Sequence, residues 1–235
     1  MKVVILAGGY GTRLSEETKL KPKPLVEIGD KPIIWHIMKI YSFYGMNDFI
    51  ICLGYKGHMI KKNLKKYARR EKWKISFVNT GLHTMTGGRI RRIKSLVEND
   101  KNFCLSYGDG LSNVNLKRLI KFHYQNKKIA TLTAVKYKNP KGILSINKKS
   151  LVKKIKEKPL EYINGGFFVL SKNIFKYIQN DKTIFEKDCL PKLSITNKLA
   201  AYKHNDFWAC MDTLREKKEL NLLWKNKRSK WKIWK

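Results

Sequence analysis

A short apolar run, Lys2-Val-Val-Ile-Leu-Ala7, leads without a polar break into Gly8-Gly9-Tyr10-Gly11-Thr12-Arg13, and Lys21-Pro22-Lys23-Pro24 follows soon after. This pattern predicts a strand that ends at the rim of a sheet, a glycine turn at its mouth, and an extended segment held by two prolines. Glycines let successive backbone N–H groups face one anion with no side chain in the way. Arg13 and Lys23 add the full charges that a polyphosphate requires. The loop is not the dinucleotide fingerprint, because position 14 is Leu where a third glycine is needed, and it lacks the Gly-Lys-Ser/Thr ending of a P-loop. A plain strand-to-helix turn explains the glycines alone. It does not require Arg13, Lys21 and Lys23 to return to one place.

The first half of the chain alternates strand-like and helix-like runs, the pattern of a mainly parallel sheet covered on both faces. Strands are predicted at 48–53, 73–78, 102–107 and 129–137, and helices at 33–41, 57–70, 89–97 and 116–124. Pro32 and Gly45 punctuate the first of these helices. From residue 143 the strands shorten (143–146, 151–155, 163–170). These predict an antiparallel extension over the carboxyl ends of the parallel strands, where open α/β sheets bind ligands. Helices at 172–179, 186–195 and 213–224 and strands at 199–203 and 207–211 complete the pattern. The basic tail 225–235 shows no periodicity. At 235 residues the expectation is one α/β domain spanning 1–235.

Lys and Arg number 51 against 18 Asp and Glu, a formal charge of +33. The lysines are spread along the chain, not gathered on one tail with arginine and aromatics interleaved. The charge therefore predicts solvated faces and a general attraction for anions, with no specific nucleic-acid surface. The four cysteines form no Cys-x-x-Cys pair and predict buried thiols in a reducing compartment. The apolar run before Gly8 is too short for a signal-peptide core and no stretch reaches membrane-spanning length. The expected location is the cytoplasm, without membrane insertion.

Two aspartates stand out in a chain poor in acid. Asp109, in Tyr107-Gly108-Asp109-Gly110, follows a buried-looking strand and reads either as a turn residue or as a Mg²⁺ ligand. Asp212, in Met211-Asp212-Thr213, reads either as a helix N-cap or as its companion. Lys158 stands among dozens of surface lysines. Asn164-Gly165-Gly166 is either a simple turn or a place where backbone approaches a ligand closely. Thr86-Gly87-Gly88-Arg89 precedes a helix whose N–H groups suit a base edge or an anion, with threonine capping as the plain alternative. The histidines show no metal-ligand spacing, and no nucleophile–base–orienter set resembles a hydrolase triad.

Leu6-Ala-Gly-Gly-Tyr-Gly-Thr-Arg13 with Lys21-Pro-Lys-Pro24 resembles the signature of the sugar-1-phosphate nucleotidyltransferases. Leu25 to Lys39, Met85 to Arg89, Tyr107 to Gly110, Ile163 to Val169, Phe207-Trp208 and Met211 to Arg215 most closely resemble the glucose-1-phosphate cytidylyltransferase branch of that family. The blocks cover nearly the whole chain in order. The resemblance implies a Rossmann-like, GT-A-like fold with a small antiparallel sugar-binding extension. It also implies Mg²⁺-dependent transfer of a cytidylyl group from CTP to glucose 1-phosphate, giving CDP-glucose and pyrophosphate for surface polysaccharide synthesis.

By the same resemblance Leu6, Ala7, Gly8, Gly9, Gly11, Thr12, Arg13, Lys23, Thr86 and Gly87 contact the nucleotide, with Arg13, Lys23 and Asp109 as the catalytic set. Asp109 and Asp212 hold Mg²⁺. Glu157, Lys158, Asn164, Gly165 and Trp208 face the sugar phosphate. The attacking phosphate of glucose 1-phosphate has a second pKa of about 6, so it needs no strong general base. Between Tyr67 and Trp73 the relatives carry a longer excursion, and segments 139–143 and 159–163 and Ala209-Cys210 also differ. These departures spare the chemical centre and bear on subunit contacts, base and sugar. The resemblance is compatible with a homo-oligomer, with another nucleotide (dTTP, UTP or GTP) or with another sugar 1-phosphate. The rival from another class is a nucleic-acid-binding or regulatory protein on a degenerate transferase scaffold.

Overall fold

The computed structural model describes residues 1–137, 143–156 and 160–234. Along β1 (Val3–Ala7), Val3, Ile5 and Ala7 point into one apolar cluster and Val4 into another. Period-two alternation thus supplies a core on each face of the sheet, as a mainly parallel sheet requires. The glycine turn leads through a 3-10 turn (Thr12–Leu14) and α1 (Ser15–Thr18) to a second 3-10 turn at Lys23–Leu25. A small hairpin, β2 (Glu27–Ile28) with β3 (Lys31–Pro32), delivers the chain to α2 (Ile33–Phe43). Next come β4 (Asp48–Leu53), α3 (Gly57–Ala68), β5 (Lys74–Asn79), α4 (Thr86–Arg91), α5 (Lys94–Val97), β6 (Asn102–Tyr107) and β7 (Gly110–Ser112). The chain continues through α6 (Leu116–Asn126), β8 (Ala130–Tyr137), β9 (Ile143–Ile146), β10 (Val152–Lys156) and β11 (Glu161–Ser171). It ends with α7 (Leu190–Ile195), β12 (Leu199–His204), β13 (Trp208–Cys210) and α8 (Leu214–Lys225).

The main sheet has the order β12-β8-β11-β6-β1-β4-β5, with β11 antiparallel to both neighbours and the other pairs parallel. The chain leaves β1 toward β4 and β5 and returns on the other side as β6. The order reverses at β1, and in such sheets the carboxyl ends at the reversal form the ligand crevice. The glycine turn leaves β1 there and Gly108-Asp109 leaves β6.

Several elements differ from their sequence expectation. The helix expected at 89–97 starts at Thr86 and is divided into α4 and α5 around Ile93. The stretch 172–179 is a 3-10 turn (Lys172–Tyr177), and 186–195 opens as a π turn (Phe185–Cys189) before α7. Residues 163–170 do not join the antiparallel extension. They lie in β11 inside the main sheet, and the extension is the β9–β10 hairpin alone. The pair β7–β13 hides behind glycines that read as a turn. The tail, without period, is nonetheless anchored: Trp231 is fully buried and stacks on Phe207 at 5.4 Å between ring centroids. The short connection after α3 is tied down by Glu71, which accepts from Trp35 Nε1 at 3.2 Å and Lys39 Nζ at 2.9 Å. Cys52, Cys104 and Cys189 are buried, Cys210 is half-buried, and all are free thiols. Among the described residues no helix is long and apolar enough to cross a membrane.

Candidate active site

The glycine turn is shaped by what packs behind it. Gly11 has φ +68°, and a Cβ there would lie 2.9 Å from Lys23 Cβ, so glycine meets both a left-handed backbone and a close approach. The same closeness brings the Lys-Pro run under the loop. Lys23, held in its 3-10 turn, donates from Nζ to Asp109 Oδ2 at 2.6 Å and to Asp212 Oδ1 at 2.5 Å. Arg13 Nη1 reaches Asp212 Oδ2 at 2.6 Å from an exposed position. Lys21 does not join them; it pairs with Glu27 at 3.7 Å, outside the cleft. Burial alone would lower the Lys23 pKa, but the ion pairs with Asp109 and Asp212 outweigh it and the net shift is upward. The ammonium is therefore charged throughout the neutral range.

Neither aspartate is consumed by its local turn. The N-cap of α8 is Thr213, which forms a capping box with Glu216, so the Asp212 carboxylate is free to face Lys23. Glu216 also accepts from the Asp212 N–H at 2.7 Å and fixes its backbone. Asp109 is locked by its carbonyl, which accepts from Met211 N at 3.0 Å and joins the two strand ends.

A cleft of about 340 Å³ is lined by Leu6, Ala7, Gly9, Gly11, Thr12, Arg13, Lys23, Thr86 and Asp109. Gly8 lines an adjoining cavity with Tyr107 and Arg89. A third cavity brings Asn164, Gly165 and Trp208 together with Arg13, Asp109 and Asp212. In β11 the ladder to β8 breaks between Asn164 and Phe168, and Gly166 takes φ +78°. The bulge turns the Gly165 carbonyl to accept from Trp208 Nε1 at 2.7 Å. Gly87 is not brought to the cleft. Its N–H donates to Thr183 O at 3.0 Å, and a Cβ there would lie 2.8 Å from that oxygen. The N-terminal N–H groups expected to serve a ligand are thus partly satisfied within the protein. Thr86 does not cap α4: the N-cap is Met85, and the Thr86 hydroxyl donates to Glu186 Oε2 at 2.6 Å. Glu157 and Lys158 lie outside the described residues.

Two residues that sequence reasoning passed over complete the site. Arg89, 5% exposed, spends its guanidinium on neutral acceptors: the carbonyls of Leu53, Gly81, Gly8 and Leu82 and the Thr80 hydroxyl. Burial lowers its pKa from the usual arginine value, yet it stays cationic and pins Gly8 to the ends of β4 and β5. Glu186 ties Thr86 to Tyr107. Arg89 was lost among 51 basic residues and Glu186 in the unremarkable run Phe185-Glu186-Lys187-Asp188. The only signal for Arg89 was its place after Gly87-Gly88.

A basic loop over two carboxylates, opening on one side to a glycine-lined cavity and on the other to a cavity lined by Asn164, Gly165 and Trp208, is the geometry of a site for anionic ligands. The chain belongs to the nucleotidyl transferase family, whose model matches residues 2–222. It is 45% identical to the glucose-1-phosphate cytidylyltransferase of Salmonella typhimurium, over 100% of both chains. It is 42% identical to the probable glucose-1-phosphate cytidylyltransferase of Bacillus subtilis over the same shares. Among solved structures it resembles HddC from Yersinia pseudotuberculosis, with TM-score 0.77 and 28% identity over 95% of this chain and 99% of that one.

Proposed function

We propose that this chain transfers a cytidylyl group from CTP to glucose 1-phosphate, releasing pyrophosphate and forming CDP-glucose. The observation that carries the reading is the Lys23 ammonium between Asp109 and Asp212, with Arg13 on the same carboxylate, in a protein full-length similar to cytidylyltransferases of that sugar phosphate.

The reaction displaces pyrophosphate from the α-phosphorus by an oxygen of the sugar phosphate, which is already anionic near neutral pH. Catalysis is then positioning and neutralisation. The glycine turn and Arg13 hold the triphosphate, and Lys23 meets the charge that develops on the α-phosphate. Thr86 borders the nucleotide, and Asn164, Gly165 and Trp208 face the sugar phosphate. Asp109 and Asp212 are the residues that would hold Mg²⁺. The fit is chemical: both are hard oxygen donors brought together around the Lys23 ammonium, and a divalent ion bound to phosphates needs only one or two carboxylates. Bound there, the ion would supply further neutralisation of phosphate charge.

The test is pyrophosphate release by the purified protein with Mg²⁺, across nucleoside triphosphates crossed with sugar 1-phosphates. Turnover confined to CTP with glucose 1-phosphate is expected. Turnover with another pair reassigns base or sugar, and silence across the whole panel refutes the reading.

A further inference from the structure

We infer that Glu186 is a positioning residue that couples the nucleotide wall of the cleft to its sugar-phosphate wall; the inference rests on the transferase reading above and extends it. Glu186 sits on the π turn that precedes α7, and its two oxygens face different walls. Oε2 accepts from the Thr86 hydroxyl at 2.6 Å, and Oε1 accepts from the Tyr107 hydroxyl at 2.5 Å. The chain of bonds continues at both ends. The Tyr107 oxygen accepts from Asn164 Nδ2 at 3.1 Å, and Asn164 Oδ1 in turn accepts from Gly166 N at 2.9 Å. The Thr86 oxygen accepts from Phe185 N at 2.9 Å. One carboxylate therefore sets a residue from α4, one from β6 and one from β11.

These residues border both substrates. Thr86 lines the cavity of the glycine turn, Asn164 lines the cavity of Trp208 and Asp212, and Tyr107 lines the cavities on both sides. Each hydroxyl has one hydrogen, and each gives it to Glu186. The Thr86 oxygen can then only accept from a ligand, and the Tyr107 oxygen is held in place between Glu186 and Asn164. Hydrogen bonds to an ionised acceptor are short and strong, which suits a part whose purpose is orientation.

The two arms can be cut separately. Thr86→Val removes the nucleotide-side bond, Tyr107→Phe removes the acceptor that holds Asn164, and Glu186→Gln offers one acceptor and one donor where two hydroxyls need acceptors. Steady-state constants with CTP and glucose 1-phosphate are the readout. Losing a bond to a charged group corresponds to about tenfold or more in an equilibrium. Glu186→Gln is expected to raise both KM values by about that factor, Tyr107→Phe that of glucose 1-phosphate alone, and Thr86→Val that of CTP alone. The Thr86→Val/Tyr107→Phe double variant is expected to be non-additive in kcat/KM, and it answers the question even if the Glu186 variant does not fold. An active wild type whose KM values are unmoved in Glu186→Gln, or an additive double variant, overturns the inference. A wild type silent across all substrate pairs instead overturns the transferase reading, and this inference with it.

Discussion

Two regions of the molecule are built to different standards of burial. The glycine turn is clamped from behind by Arg89 and from below by Lys23, each at most 9% exposed. The hairpin β9–β10 presents Leu144, Ile146, Val152 and Ile155 to solvent, each at least half exposed. The register places Ile146 opposite Val152 and Leu144 opposite Ile155, so the four share one face, with Lys154 and Ser145 on the other. A charged centre that must stabilise developing charge without reorganising has to be rigid in advance. A two-stranded hairpin with little burial contributes little to global stability and can be remodelled without harming that centre. The turn that the proposed reaction would use therefore sits where the chain is well packed, and the hairpin where it is not.

The largest expected effect tests the packed region. Lys23→Met keeps the stem that fills the space beneath Gly11 but removes the cation between Asp109 and Asp212. Pyrophosphate release should fall by about a thousandfold, the order expected for losing a preorganised charge at the reacting centre. The two carboxylates, left facing each other, should also lower the urea midpoint. Residual activity above about a tenth of wild type would show that Lys23 is a structural ion-pair partner and that the contrast between the two regions has no catalytic meaning.

Much of this architecture was legible in the sequence, for reasons that can be named. β1, β4 and β6 are mainly apolar runs followed by glycine, so their place and the crevice they open could be read from residue order. Arg13 and Lys23 were visible because they flank the glycine turn in sequence, and Asp109 and Asp212 because each stands just past a strand. What was not legible depends on contacts between distant segments. No local pattern reveals that Thr183 takes the Gly87 N–H, that Glu186 reaches Thr86 and Tyr107, or that Trp231 closes the core from a tail without period. Lys21 was misjudged for the opposite reason. It shares the basic-proline run with Lys23, but the 3-10 turn directs only one of the two lysines inward.

A second prediction sharpens the contrast through acid. His36 is fully buried beneath the β2–β3 hairpin, with Nε2 3.0 Å from Ile28 O and Nδ1 accepting from Trp231 Nε1 at 3.4 Å. These partners fit the neutral ring with its hydrogen on Nε2; a second proton would meet the indole N–H. Burial, only partly offset by the Ile28 carbonyl and Asp30, lowers the pKa from 6.5 to about 4. Between those values the unfolded chain binds more protons than the folded one. The stabilisation is therefore complete above about pH 6.5 and lost as the pH falls toward about 4, by about 3 kcal/mol. His36→Gln should flatten the slope of urea stability against pH in this window. His123, bonded to Thr131 and Asn102 and likewise lowered to about 4, should supply the remaining slope. An unchanged slope in His36→Gln would remove this histidine from the account of how the β2–β3 hairpin is held.

The smallest effect belongs to the exposed hairpin. Leu144→Ser with Ile155→Ser replaces an exposed cross-strand pair, and substitutions that bury nothing change stability by less than about 0.5 kcal/mol. The urea midpoint of this double variant should match wild type, while Trp231→Ala, which empties a fully buried site, should lose about 3 kcal/mol or more. Equal losses would mean that the hairpin face is covered in solution and that the two regions are equally well packed. The expected inequality would show that the molecule concentrates its stability in the core that Trp231 closes, and that the hairpin can change sequence at little cost to the fold.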